Sequence, residues 1–588
     1  MSGASASALY ATPAGLERPL RVVLAASSDL PGWLDAFAAV ARQHAWVEVT
    51  VLEGPETRLP TVRDVASGLR LFLAWERLLR PDANASLMPA TPSRAARGAG
   101  DERLSSLSLL EARVEHLQPD VVLLAGPQAW AASLARHAPW GCWQIDAGLT
   151  DPRHAGLSLL APLLRGEAST HVGLTLDDGS GSSVPLAHSR VKTRATAFLL
   201  TRDDAYRKLP PLLLRSLHGI ASRQPPAKRG AVRTLRLQPE AVPVRAAGLR
   251  LLASTLRAQV ASVVSRLKSQ DWSLVVREAR SPMDPGSPVL DAYRILQGSR
   301  GWWADPCMVD AGGRKLVFVE EMDPATGLAR IACAELADGG ARDLGIVLQE
   351  PGHLSFPQVF NWQGQWQLMV ESGYDRRVSL YRAVDFPREW TRVRDLLTGW
   401  ACVDPVLHEH EGRWYLFVNV AESGNSTSED LFLFVAASPE GPFTPHPASP
   451  IVCDVGRARM AGRIFTHRGR LIRPGQDCGP CYGSAIVFNE ILELGPDTYR
   501  ERVLSRFAAS QVGAVDACHS YSSDGGIEVL DILGRPPAGA DRLELLDGGC
   551  ARGAARAAAP ESGASAVRGA IPERFAGAAR SPAKAAGE

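Results

Sequence analysis

Two aspartates, Asp305 and Asp404, each stand directly before a proline at the head of an apolar run, in ADPCMVDAGGRKLVFVEE and VDPVLHEHEGRWYLFVNV. A short run, a glycine-containing turn and a second run make each segment a β-hairpin. The residue that opens the first strand of a hairpin and the residue that closes the second lie at the same end. Asp305 therefore shares its end with Glu320 and Glu321. Further copies begin at Ser355 (SFPQVFNWQGQWQLMVES), at Ala461 (AGRIFTHRGRLIRPGQD) and, more weakly, at Asp516 (DACHSYSSDGGIEVLDI). Their closing positions read Glu320, Glu371, Asn419 and Gln476, and the next column reads Glu321, Ser372, Val420 and Asp477. Carboxyls and amides gathered at one mouth are what acid, base and hydroxyl recognition on a sugar require. Asp305, Glu371 and Asp404 are the candidates for chemistry. Glu320, Glu321, Gln476, Asp477 and His519 are candidates for recognition, with Trp303 the foremost aromatic for a pyranose face and Trp302, Phe356 and Tyr374 close by. Arg459 and Arg463 flank the fourth copy, where guanidinium forks suit a phosphate or carboxylate. The competing reading is that these groups cap strands or bond between repeats. Carboxyls about 5 to 10 Å apart around an open pocket favour catalysis, whereas carboxyls buried in pairs between repeats favour binding or a scaffold.

Such a mouth needs elements that bring distant hairpins together. Five hairpins at roughly fifty-residue spacing, each with room for two outer strands, describe a five-bladed β-propeller over residues 271–545. WSLVVREA, from Trp272 to Ala279, precedes the first copy and is expected to complete the last blade. The N-terminal part has another texture. RVVLAASS, a helical stretch from Gly32, WVEVTVLEG, PDVVLLAG and GCWQID alternate strand and helix, which predicts an open α/β fold with a parallel sheet over 19–217. Residues 218–270 read as a linker and connecting helix, and 1–18 and 546–588 as disordered ends.

Composition narrows the partners. With 64 basic and 63 acidic residues the net charge is +1, which gives no electrostatic reason to expect nucleic acid. Arg245, Arg250 and Arg257 interrupt the one apolar run near membrane length, which speaks against a span and leaves peripheral contact open. The N-terminus has no export signal, and nine cysteines are an odd count for a disulfide framework. Together these predict a cytoplasmic protein with reduced thiols. Cys478 and Cys481 form CGPC after a propeller-type strand, where a redox role is not expected. No residue pattern calls for a metal or a phosphate-binding loop.

The stretches WWADPCMV, HLSFPQVF, VDPVLHEHEGRWYLF, SEDLFLF, GPFTPHPASPIV and ARMAGRIF with RPGQDC resemble the N-terminal domain of plant glucosamine inositolphosphorylceramide transferases and many bacterial proteins, a domain similar to arabinanase-like and invertase-like propellers. The resemblance implies that Asp305 acts as base or nucleophile with Glu371 or Asp404 as its partner. It also implies glycosyl transfer or glycosidic-bond chemistry in bacterial cell-surface polysaccharide or glycolipid assembly, with a nucleotide-sugar as the conceivable donor. A noncatalytic sugar-binding scaffold is the alternative. PDVVLLAG, GCWQIDAG, RGEASTHVGLTLDDG and DDAYRKLPPLLLRSL are similar to folate-dependent formyltransferases. That chemistry uses an Asn, a His and an Asp, but the matching positions carry Gln144, Asp146 and, near the last, Gly181. The resemblance thus implies a unit that has lost formyl transfer, with a surviving amino-sugar N-formyltransferase as the other possibility.

Overall fold

The computed structural model describes residues 9–27, 32–55, 67–79, 100–146, 159–177, 183–195, 197–222, 251–253, 255–257, 271–278, 283–337, 339–373, 375–422, 425–513, 515–537 and 539–547. The chain divides into two compact units, one essentially Ser7–Val264 and the other holding Ser265–Val452 and the rest of the C-terminal half.

The N-terminal unit is built on a seven-stranded sheet. Leu20–Ser27 pairs in parallel with Val47–Gly54 on one side and Val121–Ala125 on the other, and Val121–Ala125 pairs in parallel with Cys142–Asp146. Along Leu20–Ser27 successive residues face opposite sides and both sides are apolar. Val22 and Leu24 pack with Phe37 and Leu213, while Val23 and Ala25 pack with Leu110 and Val114. Strands buried on both faces read as unbroken hydrophobic runs, which is why RVVLAA was recognisable. The sheet is not parallel throughout, however. Ser169–Asp177 runs antiparallel to Cys142–Asp146, and Ser183–Lys192 antiparallel to Ser169–Asp177. That hairpin alternates polar and apolar residues, a pattern the parallel reading passed over. Tyr10, within the stretch 1–18, packs on the same core and stands edge-on against His44 and His218. The helix Leu209–Ala221 runs past residue 217.

The C-terminal unit is a five-bladed propeller. The blades open with Trp303–Ala311, Ser355–Trp362, Cys402–His410, Arg459–Met460 with Phe465–His467, and Tyr521–Asp524. Hydrogen bonds tie each junction of the ring, four of them through side chains. Val359 N–H meets Cys307 Sγ at 3.3 Å, Gln358 exchanges two 2.7 Å bonds with the backbone of Leu407, and Met460 N–H donates to Asn419 Oδ1 at 3.0 Å. Tyr521 N–H then meets Ala461 O at 2.7 Å, and Met308 N–H meets Ser522 Oγ at 2.9 Å, which returns the circuit to blade one. Blade five is completed by Trp272–Glu278, antiparallel to Ile527–Leu533, as the isolated WSLVVREA run predicted. A second closure comes from Glu544–Asp547, which lies parallel to Gly340–Leu348 in blade one.

The same local device opens blades one to three. Asp305, Phe356 and Asp404 have φ of 48°, 50° and 52°, and each sits at a break in the ladder between Ala304 and Cys307, Ser355 and Gln358, and Val403 and Val406. A bulge before proline re-aims one side chain and bends the strand. A left-handed backbone at a phenylalanine or aspartate is strained, so the surrounding ring must hold it. Blade four substitutes Gly462, φ 135°, where an added Cβ would lie 1.9 Å from Tyr521 O.

Candidate functional site

The bulges and strand ends converge at one end of the propeller axis. Asp305, Glu320, Glu371 and Asp404, from three blades, are all buried there. Asp305 Oδ1 accepts the Ser520 hydroxyl at 2.6 Å and its carboxyl is hydrogen-bonded to Glu320. Glu320 Oε1 lies 3.4 Å from His353 Nε2. His353 Nδ1 accepts Ala329 N–H, so the proton on this ring is at Nε2 and points at Glu320. Asp404 is held by Arg459 through two contacts of 2.6 and 3.2 Å, and by Gln476 Nε2 at 2.8 Å. Glu371 accepts the Ser355 hydroxyl on one oxygen and Asp404 N–H on the other, both at 2.8 Å.

The electrostatics follow from burial and crowding. Burial, then the charges of Glu320, Asp404 and Asp531, push Asp305 well above the usual carboxyl range. Burial, then Asp404, push Glu371 up to about 8, against the opposing pull of Arg459. Burial raises Asp404 as well, with Arg459 opposing. Asp305 therefore holds its proton more tightly than an ordinary aspartate does.

Blade five supplies the floor. His519 Nδ1 is 2.6 Å from Asp531 Oδ2, and its ring stacks on Trp272 with centroids 4.1 Å apart. Tyr482 stands edge-on to His519 at 5.1 Å, and the Arg459 guanidinium lies 4.9 Å from the centre of the Tyr482 ring. Asp305, His519 and Asp531 are the one group among the described residues whose ligand-type atoms lie within 4.8 Å of one another. Asp531 nevertheless spends its oxygens on the N–H groups of Asp305, His519 and Ser520 and on the His519 ring, which describes a hydrogen-bonded hub rather than a metal cradle.

Several predicted residues stand elsewhere. Trp303 is 0% exposed and gives its indole N–H to Glu321 at 2.9 Å, so it offers no face to a sugar. Glu321 pairs with Arg300 and Arg330, both at 3.1 Å, on the side of the strand away from Glu320. Asp477 pairs with Arg506 at 2.9 Å. Arg463, by contrast, lines the same cavity as Asp305 and Ser520, where it donates to Met308 O at 2.5 Å and reaches Val359 O and Ser523 O. Tyr374 and Gly181 lie outside the described residues. Gln144 and Asp146 occupy the strand Cys142–Asp146. Sequence reasoning missed Tyr482, Trp272, His353, Ser520 and Asp531. Tyr482 had a signal of sorts, since it follows the CGPC run directly.

Comparison with known proteins finds similarity over the C-terminal half. Residues 283–517 match the family model described as glucosamine inositolphosphorylceramide transferase 1, N-terminal. The propeller resembles that domain. The glucosamine inositolphosphorylceramide transferase 1 of Arabidopsis thaliana is 37% identical over 204 residues, 34% of this chain and 26% of its own length. That of Oryza sativa subsp. japonica is 33% identical over 223 residues, 37% of this chain and 30% of its own. The chain thus spans under a third of either relative. Among solved structures, a thermostable family-43 glycoside hydrolase is 12% identical, covering 38% of this chain and 84% of that one, with a TM-score of 0.30. A family 117 glycoside hydrolase produced by Zobellia galactanivorans is 16% identical, covering 45% and 91%, with a TM-score of 0.31.

Proposed function

We propose that the axial mouth of the propeller is a carbohydrate site that performs glycosyl chemistry, transfer or cleavage of a glycosidic bond, within assembly of a cell-surface polysaccharide or glycolipid. The observation that carries this reading is the Asp305–Glu320 pair: two buried carboxyls in hydrogen-bond contact, with burial and neighbouring acids raising the hold of Asp305 on its proton, beside an exposed tyrosine and an imidazole. A carboxylic acid kept protonated by its surroundings is the usual source of the proton that a leaving sugar oxygen needs. Glu371 and Asp404 then serve as support, since their oxygens are engaged by neighbouring blades. The transferase names of the matched relatives point to the same substrate class. A nucleotide-sugar is the donor to test first. For the N-terminal unit we keep the formyltransferase-like reading, with formyl transfer lost at Gln144 and Asp146.

Noncatalytic sugar binding is the second reading, and the inter-blade engagement of Glu371 and Asp404 favours it. One product assay separates the two, with nucleotide-sugars and oligosaccharides offered to the wild type and to Asp305→Ala. Catalysis at the axis predicts product from the wild type and a loss of about 100-fold or more in the variant. Equal turnover in both rejects the assignment. Saturable binding without product from the wild type leaves the scaffold.

A further inference from the structure

His519 is buried, yet only one of its ring nitrogens is committed. Both oxygens of Asp531 already accept main-chain N–H groups, Oδ1 from His519 and Ser520 at 2.9 Å and Oδ2 from Asp305 at 3.1 Å. The 2.6 Å contact with Nδ1 is therefore a donation from the ring, which fixes the hydrogen on Nδ1 and leaves a lone pair on Nε2. Trp272 covers one face of the ring and Tyr482 meets it edge-on, so the imidazole cannot swing away. Nε2 has no hydrogen-bond partner among the described residues. An oriented imidazole with a carboxylate behind it and a free lone pair in front is a proton acceptor held ready.

We propose that His519, positioned by Asp531, takes the proton of the hydroxyl that attacks the glycosyl unit at the axial mouth; this rests on the carbohydrate reading above. The O–H proton passes to Nε2 as that oxygen bonds to the anomeric carbon. The bond from the anomeric carbon to the leaving oxygen breaks, and its electron pair stays with that oxygen, which takes the proton held by Asp305. The site ends with an imidazolium and one more carboxylate, so its net charge is unchanged. Asp305 Oδ1 and His519 Nδ1 are 3.8 Å apart, and Asp531 and Asp404 supply the charge that steadies the imidazolium. His519 is then the catalytic base and Asp531 a positioning residue.

The test uses the full chain labelled with nitrogen-15 in histidine, a panel of p-nitrophenyl glycosides, and the variants His519→Asn and Asp531→Asn. Asparagine at 519 keeps a donor for Asp531 and removes the base. The His519 signal, assigned by its absence in His519→Asn, should show the Nδ1–H tautomer. His519→Asn should still quench tryptophan fluorescence on binding a glycoside, lose at least a hundredfold in kcat with KM within threefold, and lose the acidic limb of the pH profile. Asp531→Asn should shift the tautomer and lower kcat. An Nε2–H tautomer, or undiminished kcat in His519→Asn, overturns the inference and leaves the axial reading standing. Failure of every glycoside to bind the wild type overturns both.

Discussion

Glu320 and Glu321 follow one another on a single strand and lead opposite lives. Successive side chains of a strand point to opposite faces, so Glu321 turns with Trp303, its partner across the ladder, into a cluster where Arg300, Arg330 and an indole N–H surround it. Glu320 turns to the axis, where Asp305 and Asp404 crowd it and Arg459 is already committed to Asp404. One carboxylate has two guanidinium partners, and the other sits among acids with a single imidazole contact, from His353 at 3.4 Å. Fully matched charge marks scaffolding, whereas buried charge that the fold leaves unmatched marks a place for something else to bind or react.

The sharpest way to break this contrast is to disturb the one axial acid that is matched. Arg459→Met should leave Asp404 nearly sealed from water with Gln476 alone, and should cost about 3–5 kcal/mol, the range for removing one partner of a buried pair. Urea denaturation at neutral pH checks it. A loss under about 1 kcal/mol would mean that Asp404 had simply taken up a proton. Next comes the pair of neighbours. Glu321→Gln should cost on the order of 3 kcal/mol, the low end of that range, because Arg300 keeps 37% of its side chain in water. Glu320→Gln removes a like charge beside Asp305 and should leave stability unchanged or raised, while turnover falls. If the two variants denature alike, position on the strand is not what divides structure from site.

The pH dependence of stability sharpens the same point. Glu371 rises to about 8 in the folded protein from an ordinary 4.5, and Asp305 rises as well. A raised folded value means that the folded state holds the proton more tightly than the unfolded chain. This stabilisation is full below the ordinary value and lost as the pH climbs through the folded one. Melting temperature should therefore fall between about pH 5 and 8, and Glu371→Gln should flatten that fall. A wild-type profile flat across this window would show that the axial acids are charged and solvated.

The repeat was legible because every blade repeats one requirement: an apolar hairpin with a glycine turn and, in three blades, a residue before proline at the axial bulge. Asp305, Glu320, Glu371, Asp404, Gln476 and His519 could be placed at the axis from alignment of those copies alone. Trp303, Glu321 and Asp477 were misplaced by one residue of register, which on a strand means the opposite face. Pairing Trp303 with Glu321 across the hairpin would have shown it. Asp531 stands near the end of the weakest copy, to which the closing columns did not extend, and Trp272 belongs to the strand borrowed from the other end of the domain. Tyr482 sits on a loop, where repeats carry no positional information.

Tyr482 offers the smallest effect and the cleanest separation. Its ring is 40% exposed, rests against Arg459 and His519, and makes one long contact from its hydroxyl at 3.4 Å to Arg459. An aromatic left in water at the lip of a buried polar cluster contributes little to folding, so Tyr482→Ala should cost no more than about 1 kcal/mol of stability. If the axis takes a sugar, that ring is the surface on which a pyranose lies, and the same substitution should weaken glycoside binding by about tenfold. Fluorescence titration beside thermal melts reads both quantities from one preparation. Reduced stability with unchanged affinity would make Tyr482 a lid on the Arg459–Asp404 pair and move the sugar to another part of the rim.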